Sequence, residues 1–179
     1  GLFAADSRSY GGLRAPQERS LSANRRAPAG RRLVDRFITK GSGAQMSEHT
    51  GPIAVALTGA SGMPYALRLL ECLVRAERRL YVMYSQAAQV VMRMEAEEEM
   101  PGRPGDAEIW LTGKFGAAPG QIRVFGRQEW TAPVASGSNP PESLVVCPCT
   151  TGTLATIATG VCQDLIDRAA DVMLKERRK

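Results

Sequence analysis

Three short stretches of the chain carry the residue types that hold a phosphate group: Thr58-Gly59-Ala60-Ser61-Gly62, Ser85, and Thr150-Thr151-Gly152-Thr153. Each follows an apolar run and precedes a helix-like pattern. Glycines let the backbone approach an anion, helix starts aim free N–H groups and a partial positive charge at it, and hydroxyls add neutral donors. Together they describe a cradle for the phosphate of a mononucleotide. Taken singly, Gly-x-x-Gly after a strand is a weak signal, because a tight turn with an N-cap at Ser61 gives the same string. Its repetition at three strand ends favours the cradle.

Two other features have chemistry to offer. The segment Ala132 to Pro141 brackets Ser136-Gly137-Ser138 with prolines, as a loop wrapping a small ligand does, and as a plain surface loop also does. Trp130 has the face to stack on a flavin or an alkenyl group, but an isolated Trp is more often core. Cys147-Pro148-Cys149 is one residue short of a metal-binding knuckle, and no metal site is expected. The four cysteines read as buried free thiols.

The elements that must position these residues alternate in type. Ile53 to Thr58 is a strand-length apolar run ending in the glycine turn, and Pro64 suits the first turn of a helix in which Leu67, Leu70, Leu73 and Val74 recur at helical spacing. Leu80 to Tyr84 gives a second strand ending at Ser85. A second helix through Ala87, Ala88, Val90, Val91 and Met94 runs into the acidic stretch Glu95 to Glu99, and Pro101 to Gly105 breaks the chain. A short element near Ile109 to Thr112, a strand at Ile122 to Phe125, a buried strand at Ser143 to Val146, an apolar helical run from Leu154 and an amphipathic helix from Leu165 to Arg178 follow. Strands alternating with helices predict an α/β fold: a three-layer, mainly parallel doubly wound sheet of Rossmann-like or flavodoxin-like kind, with ligands beyond the carboxyl ends of the strands. The alternation calls for another strand after Lys179, so the sheet is expected to be incomplete at the C-terminus.

The formal charge of +5 is unevenly spread: residues 1–46 hold nine Arg or Lys against three acids, which leaves the remainder at −1. A nucleic-acid-binding domain is basic on its own folded surface, so no nucleic-acid partner is expected. No apolar run reaches the roughly 18–20 residues of a bilayer span, and no membrane role is expected. Residues 1–50 form a basic, Ser- and Gly-containing extension expected to be disordered, ahead of a domain over 51–179. Met46 suits a true initiator, with translated upstream sequence before it. The alternative is an organelle transit peptide, which would change an otherwise cytoplasmic location to mitochondrial. His49, the one histidine, lies in this extension.

Thr-Gly-Ala-Ser-Gly at 58–62, Gln-Ile-Arg-Val-Phe at 121–125, Ala-Ser-Gly-Ser at 135–138, Cys-Pro-Cys-Thr-Thr-Gly-Thr-Leu at 147–154 and the run from Arg168 to Arg178 strongly resemble the flavin prenyltransferase (UbiX) family, over residues 52–178. The resemblance implies transfer of a dimethylallyl group from dimethylallyl phosphate to N5 and C6 of reduced FMN. The prenylated FMN would serve a partner decarboxylase of ubiquinone or aromatic-acid metabolism. It further implies that Gly59, Ala60, Ser61, Ser85, Thr150, Thr151, Gly152 and Thr153 hold FMN, and that Arg168 and Lys175 face the donor phosphate. Ser61 and Glu95 would handle protons near the flavin, and Trp130 would wall the prenyl site. The residues alone also allow Arg168, Lys175 and Glu95 as solvated helix-surface charges. Family members continue beyond Lys179 and form homo-oligomers, so the chain as written is expected to fold poorly and to lack activity. A non-catalytic FMN-binding module is the alternative. A flavin-dependent cysteine decarboxylase is less favoured, because it relies on a histidine that residues 51–179 lack.

Overall fold

The computed structural model describes residues 51–179. The expectations for the basic extension, including Met46 and His49, lie outside the described residues.

Four strands, β1 (Ile53–Leu57), β2 (Leu80–Tyr84), β3 (Ile122–Phe125) and β4 (Ser143–Val146), form one all-parallel sheet in the order β3-β2-β1-β4. Five helices complete the fold: α1 (Met63–Arg75), α2 (Gln86–Ala96), α3 (Pro104–Phe115), α4 (Thr151–Thr159) and α5 (Leu165–Lys175). A 3₁₀ turn spans Pro133–Ala135.

The register sorts the side chains by face. Val55 pairs with Val82 and Val82 with Val124, and with Leu57, Leu80 and Ile122 they pack against α1, α2 and α3. The alternate residues Ala54, Ala56, Met83 and Phe125 face the 3₁₀ turn and α5, whose Leu165, Ile166 and Ala169 join their cluster. Two alanines at the centre of β1 let α5 sit close to the sheet. Helical spacing of the buried residues Leu70 and Val74 on α1, and Leu165, Ala169 and Val172 on α5, drives each helix down on one stripe.

Several expectations need correction. The short element near Ile109 is a full helix, because Pro104 opens it and only Ala107 and Leu111 need burial. β4 is not a buried strand: Val145 is exposed, since β4 is an edge of the sheet and α4 buries none of its residues. The cysteines are free, but Cys149 and Cys162 are exposed and Cys72 and Cys147 half-buried. Cys149 and Cys162 flank α4, where no packed layer exists to cover a thiol.

Candidate functional site

The carboxyl ends of β1, β2 and β4 meet on one side of the sheet, and the chain direction diverges there: β2 lies on one flank of β1 and β4 on the other. Such a switch point leaves a crevice. Here it is a cavity of about 380 Å³ lined by Gly59, Ser85, Thr150, Gly152 and Thr153, with Arg127, Thr156, Asp164 and Asp167 closing one side. A larger cleft of about 680 Å³ runs along α1 and α3. Its cations are already paired, Arg68 and Arg75 with Glu71 and Lys114 with Glu98. The smaller cavity therefore has the chemistry of a ligand site.

Its walls are built by a few specific bonds. Thr58, 2% exposed, donates its hydroxyl to the Pro148 carbonyl at 2.7 Å and accepts the Thr150 N–H at 2.8 Å, tying the end of β1 to the loop after β4. Gly59 touches α2 so closely that an added Cβ would stand 2.4 Å from Cβ of Ala87. Ser85 caps α2 by accepting the Ala88 N–H at 3.1 Å, and Thr150 caps α4 by accepting the Thr153 N–H at 3.1 Å. A hydroxyl that accepts a capping bond keeps its own proton to donate. Thr150 and Thr153 share one further bond between hydroxyls at 2.9 Å, which leaves one of their two protons for a ligand. The N–H groups of Gln86, Ala87, Thr151 and Gly152 open their helices and have no carbonyl within the helix to bond. Two helix starts thus present donors and partial positive charge to one cavity.

The third helix start is different. Gly62, with φ of 112°, turns the chain into α1, a conformation that glycine adopts without strain. The N–H groups of Gly62 and Met63 donate to Oε2 of Glu95 at 2.8 and 2.9 Å. The Ser61 side chain also hydrogen-bonds this carboxylate. These bonds, that from Ser61 foremost, hold the Glu95 pKa below the usual carboxylate value. Ser61 is therefore not the N-cap of α1, and the expectation that all three strand ends offer free helix N–H groups holds for two. At the third, the protein supplies its own anion.

The structure brings Gly59, Ser85, Thr150, Gly152 and Thr153 to one cavity and Ser61 to Glu95. Ala60 and Thr151 flank lining residues without lining the cavity themselves. Trp130 is 47% exposed, which overturns a core position for it. Arg168 and Lys175 do not line the cavity. Arg168 donates through Nε to the Ala135 carbonyl at 3.0 Å and pairs with Asp171, while Lys175 pairs with Glu176 beside Gly137. Ala132, Val134 and Ala135 pack into the core, whereas Ser136, Ser138 and Asn139 are exposed, so the Ser-Gly-Ser part of the Pro-bracketed stretch lies on the surface and does not line the cavity.

Sequence reasoning missed Arg127, Asp164 and Asp167. Asp164 and Asp167 are 8% and 7% exposed. Asp164 caps α5 through the N–H groups of Ile166 and Asp167, and Asp167 accepts the Thr156 hydroxyl and the Gln163 N–H. An aspartate ahead of an amphipathic helix is a cap signal that sequence alone offered. Among the described residues no group of His, Cys, Asp or Glu is arranged to hold a metal ion, and no helix is long and apolar enough to cross a membrane.

A parallel sheet with hydroxyls and helix starts at its switch point is the framework of a nucleotide-binding flavoprotein. The family model named Flavoprotein matches residues 42–179, and the chain belongs to that family. Within it the chain is UbiX-like: it is 55% identical over 131 residues to the flavin prenyltransferase UbiX of Pseudomonas aeruginosa, covering 72% of this chain and 63% of that one. The crystal structure of AnUbiX (PadA1) in complex with FMN and dimethylallyl pyrophosphate is similar at 35% identity and a TM-score of 0.60, over 72% of this chain and 61% of that one. A dodecameric FMN-dependent UbiX-like decarboxylase from Escherichia coli O157:H7 is similar at 28% identity and the same TM-score, over 72% and 63%. The chain thus spans less than two thirds of the length of each of these relatives.

Proposed function

We propose that the chain is the FMN-binding part of a flavin prenyltransferase, which transfers a dimethylallyl group from a phosphate ester to reduced FMN and releases the phosphate. The observation that carries this reading is the convergence of Gly59, the Ser85-capped start of α2 and the Thr150-capped start of α4 on one cavity. Bound FMN supplies the nucleophilic ring that accepts the prenyl group. The residues of this chain would hold it: Ser85 and the Thr150–Thr153 pair would donate hydroxyl protons, and the first N–H groups of α2 and α4 would serve its phosphate. Ser61 and Glu95 form a hydrogen-bonded pair able to hold a proton, with Glu95 lining the neighbouring cleft along α1 and not the cavity itself. Arg168 and Lys175 are the cations assigned to the leaving phosphate of the donor. They supply the fixed positive charge such a departure needs, and Trp130 supplies an exposed aromatic face for the allylic group.

The Pseudomonas relative's name and the donor held by AnUbiX support the reaction class. The donor is dimethylallyl phosphate in this reading. A homo-oligomer, as in the dodecameric relative, and a decarboxylase that uses the prenylated FMN complete it. A second reading, FMN binding without transfer, draws on Arg168 and Lys175 lying outside the cavity. One experiment separates them: anaerobic reduction of the chain with FMN, addition of dimethylallyl phosphate or dimethylallyl pyrophosphate in parallel, and mass analysis of the flavin. Prenylated FMN supports transfer and identifies the donor. Bound but unmodified FMN supports the binding module, and no bound flavin refutes both.

A further inference from the structure

The cavity assigned to FMN holds two nearly buried carboxylates, Asp164 and Asp167, and a single cationic side chain among its lining residues, Arg127. A phosphate dianion entering such a site meets repulsion unless that cation is placed to offset it. Arg127 is placed with unusual definition. Its backbone carbonyl accepts the Leu165 N–H at 2.9 Å, and its Nε donates to Oδ2 of Asp164 at 3.0 Å. Both contacts tie it to the start of α5. The second oxygen of Asp164 is spent on the N–H groups of Ile166 and Asp167. The guanidinium is thus oriented through one nitrogen, and its two terminal amino groups remain for another acceptor. Half of the side chain is exposed, and it lines the cavity.

A planar fork with two free amino groups matches a tetrahedral phosphate, which it grips through two parallel hydrogen bonds. The Ser85 hydroxyl, the Thr150–Thr153 pair and the helix N–H groups line the same cavity and supply the neutral donors. We propose that Arg127 clamps the 5′-phosphate of FMN and makes the site select the phosphorylated flavin over riboflavin. This inference rests on the FMN reading given above. Asp164 acts as a positioning residue: it fixes the guanidinium while capping α5.

The test measures the affinities of FMN and riboflavin, by quenching of flavin fluorescence, for the unsubstituted chain and for Arg127→Gln, Arg127→Lys and Asp164→Asn. Loss of a charge-assisted contact to phosphate predicts an FMN affinity about ten- to a hundred-fold weaker in Arg127→Gln, with riboflavin altered less than about two-fold. Arg127→Lys recovers part of the loss, because it keeps the charge and not the fork. Asp164→Asn keeps the capping oxygen but turns an amide N–H toward Nε of Arg127 in place of the accepting oxygen, so the guanidinium is released and FMN affinity falls by less than in Arg127→Gln, with riboflavin affinity unaltered. A thermal melt on each variant confirms folding. Equal losses for both flavins in Arg127→Gln, or no loss for either, overturn the clamp. An unsubstituted chain that binds neither flavin overturns the FMN reading and the clamp with it, whereas FMN binding with unaltered selectivity overturns the clamp alone.

Discussion

The hydroxyl of Thr58 accepts the backbone N–H of Thr150 at 2.8 Å, joining two residues that lie 92 positions apart in the chain. The same hydroxyl donates to the Pro148 carbonyl at 2.7 Å, so one buried oxygen fixes the relative position of the two halves of the cradle. Thr58→Val keeps the shape and strands the Thr150 N–H, while the Pro148 carbonyl keeps only the Thr58 backbone N–H at 3.2 Å. It is expected to lower stability by about 1–3 kcal/mol in urea titrations and to weaken FMN binding. Thr58→Ser, which restores the oxygen, should recover most of both. Equal behaviour of the Val and Ser variants would show that shape alone matters at this position.

Gly59 owes its identity to a neighbour. A methyl group there would meet Ala87 at 2.4 Å, well inside any permitted carbon–carbon distance, and α2 would have to move away from β1. Gly59→Ala is expected to cost roughly 1–3 kcal/mol, as overpacking does, and to abolish tight flavin binding. Ala87→Gly in the same chain removes the opposing methyl and should restore part of the lost stability. The double-mutant cycle reads this directly: additive losses would disprove the contact as the cause.

The pH dependence of stability should carry a mark of Glu95. Its hydrogen bonds to Ser61, Gly62 and Met63 depress its folded-state pKa below the value in the unfolded chain. A carboxylate of this kind adds stability in full above its unfolded pKa and loses it as pH falls through the lower folded pKa. The gap in melting temperature between the unsubstituted chain and Glu95→Gln should therefore be constant near neutrality and close progressively in acid. A gap independent of pH would place the effect in packing and not in charge.

Thr150 caps a helix that buries no residue of its own. Loss of an N-cap is worth about 0.5–2 kcal/mol locally, yet little of the global core depends on α4. Thr150→Ala should therefore speed hydrogen exchange at the amides of α4 and weaken FMN binding, while the global melting temperature changes little. A fall in melting temperature matching the exchange effect would show that α4 unfolds only with the whole domain.

Much of this organisation is written in short-range patterns. β1 and β2 are apolar runs bounded by glycine or serine, and α1 and α5 have clean helical stripes, so local rules suffice. Helix α3 escaped because Gly105 and Gly113 interrupt it and Ile109 points to solvent, which blurs the stripe that would reveal it. Glu95 reads locally as the start of an acidic surface run. Only the packing of α2 beside the start of α1 turns it toward Gly62 and Met63. Arg127 and Asp164, 37 residues apart, carry no joint motif, because their meeting depends on how β3 and α5 are stacked.

Dinucleotide-binding folds seat a pyrophosphate on the first helix after the first strand. Here that seat is taken. The carboxylate of Glu95 occupies both leading N–H groups of α1 as an internal counterfeit of a phosphate. A nicotinamide or flavin adenine dinucleotide laid across the sheet would bring negative charge against it, and would have to break two hydrogen bonds to dock. The Gly62 and Met63 N–H groups are thus closed to a second phosphate, whereas the first N–H groups of α2 and α4 have no carbonyl within their helices to bond.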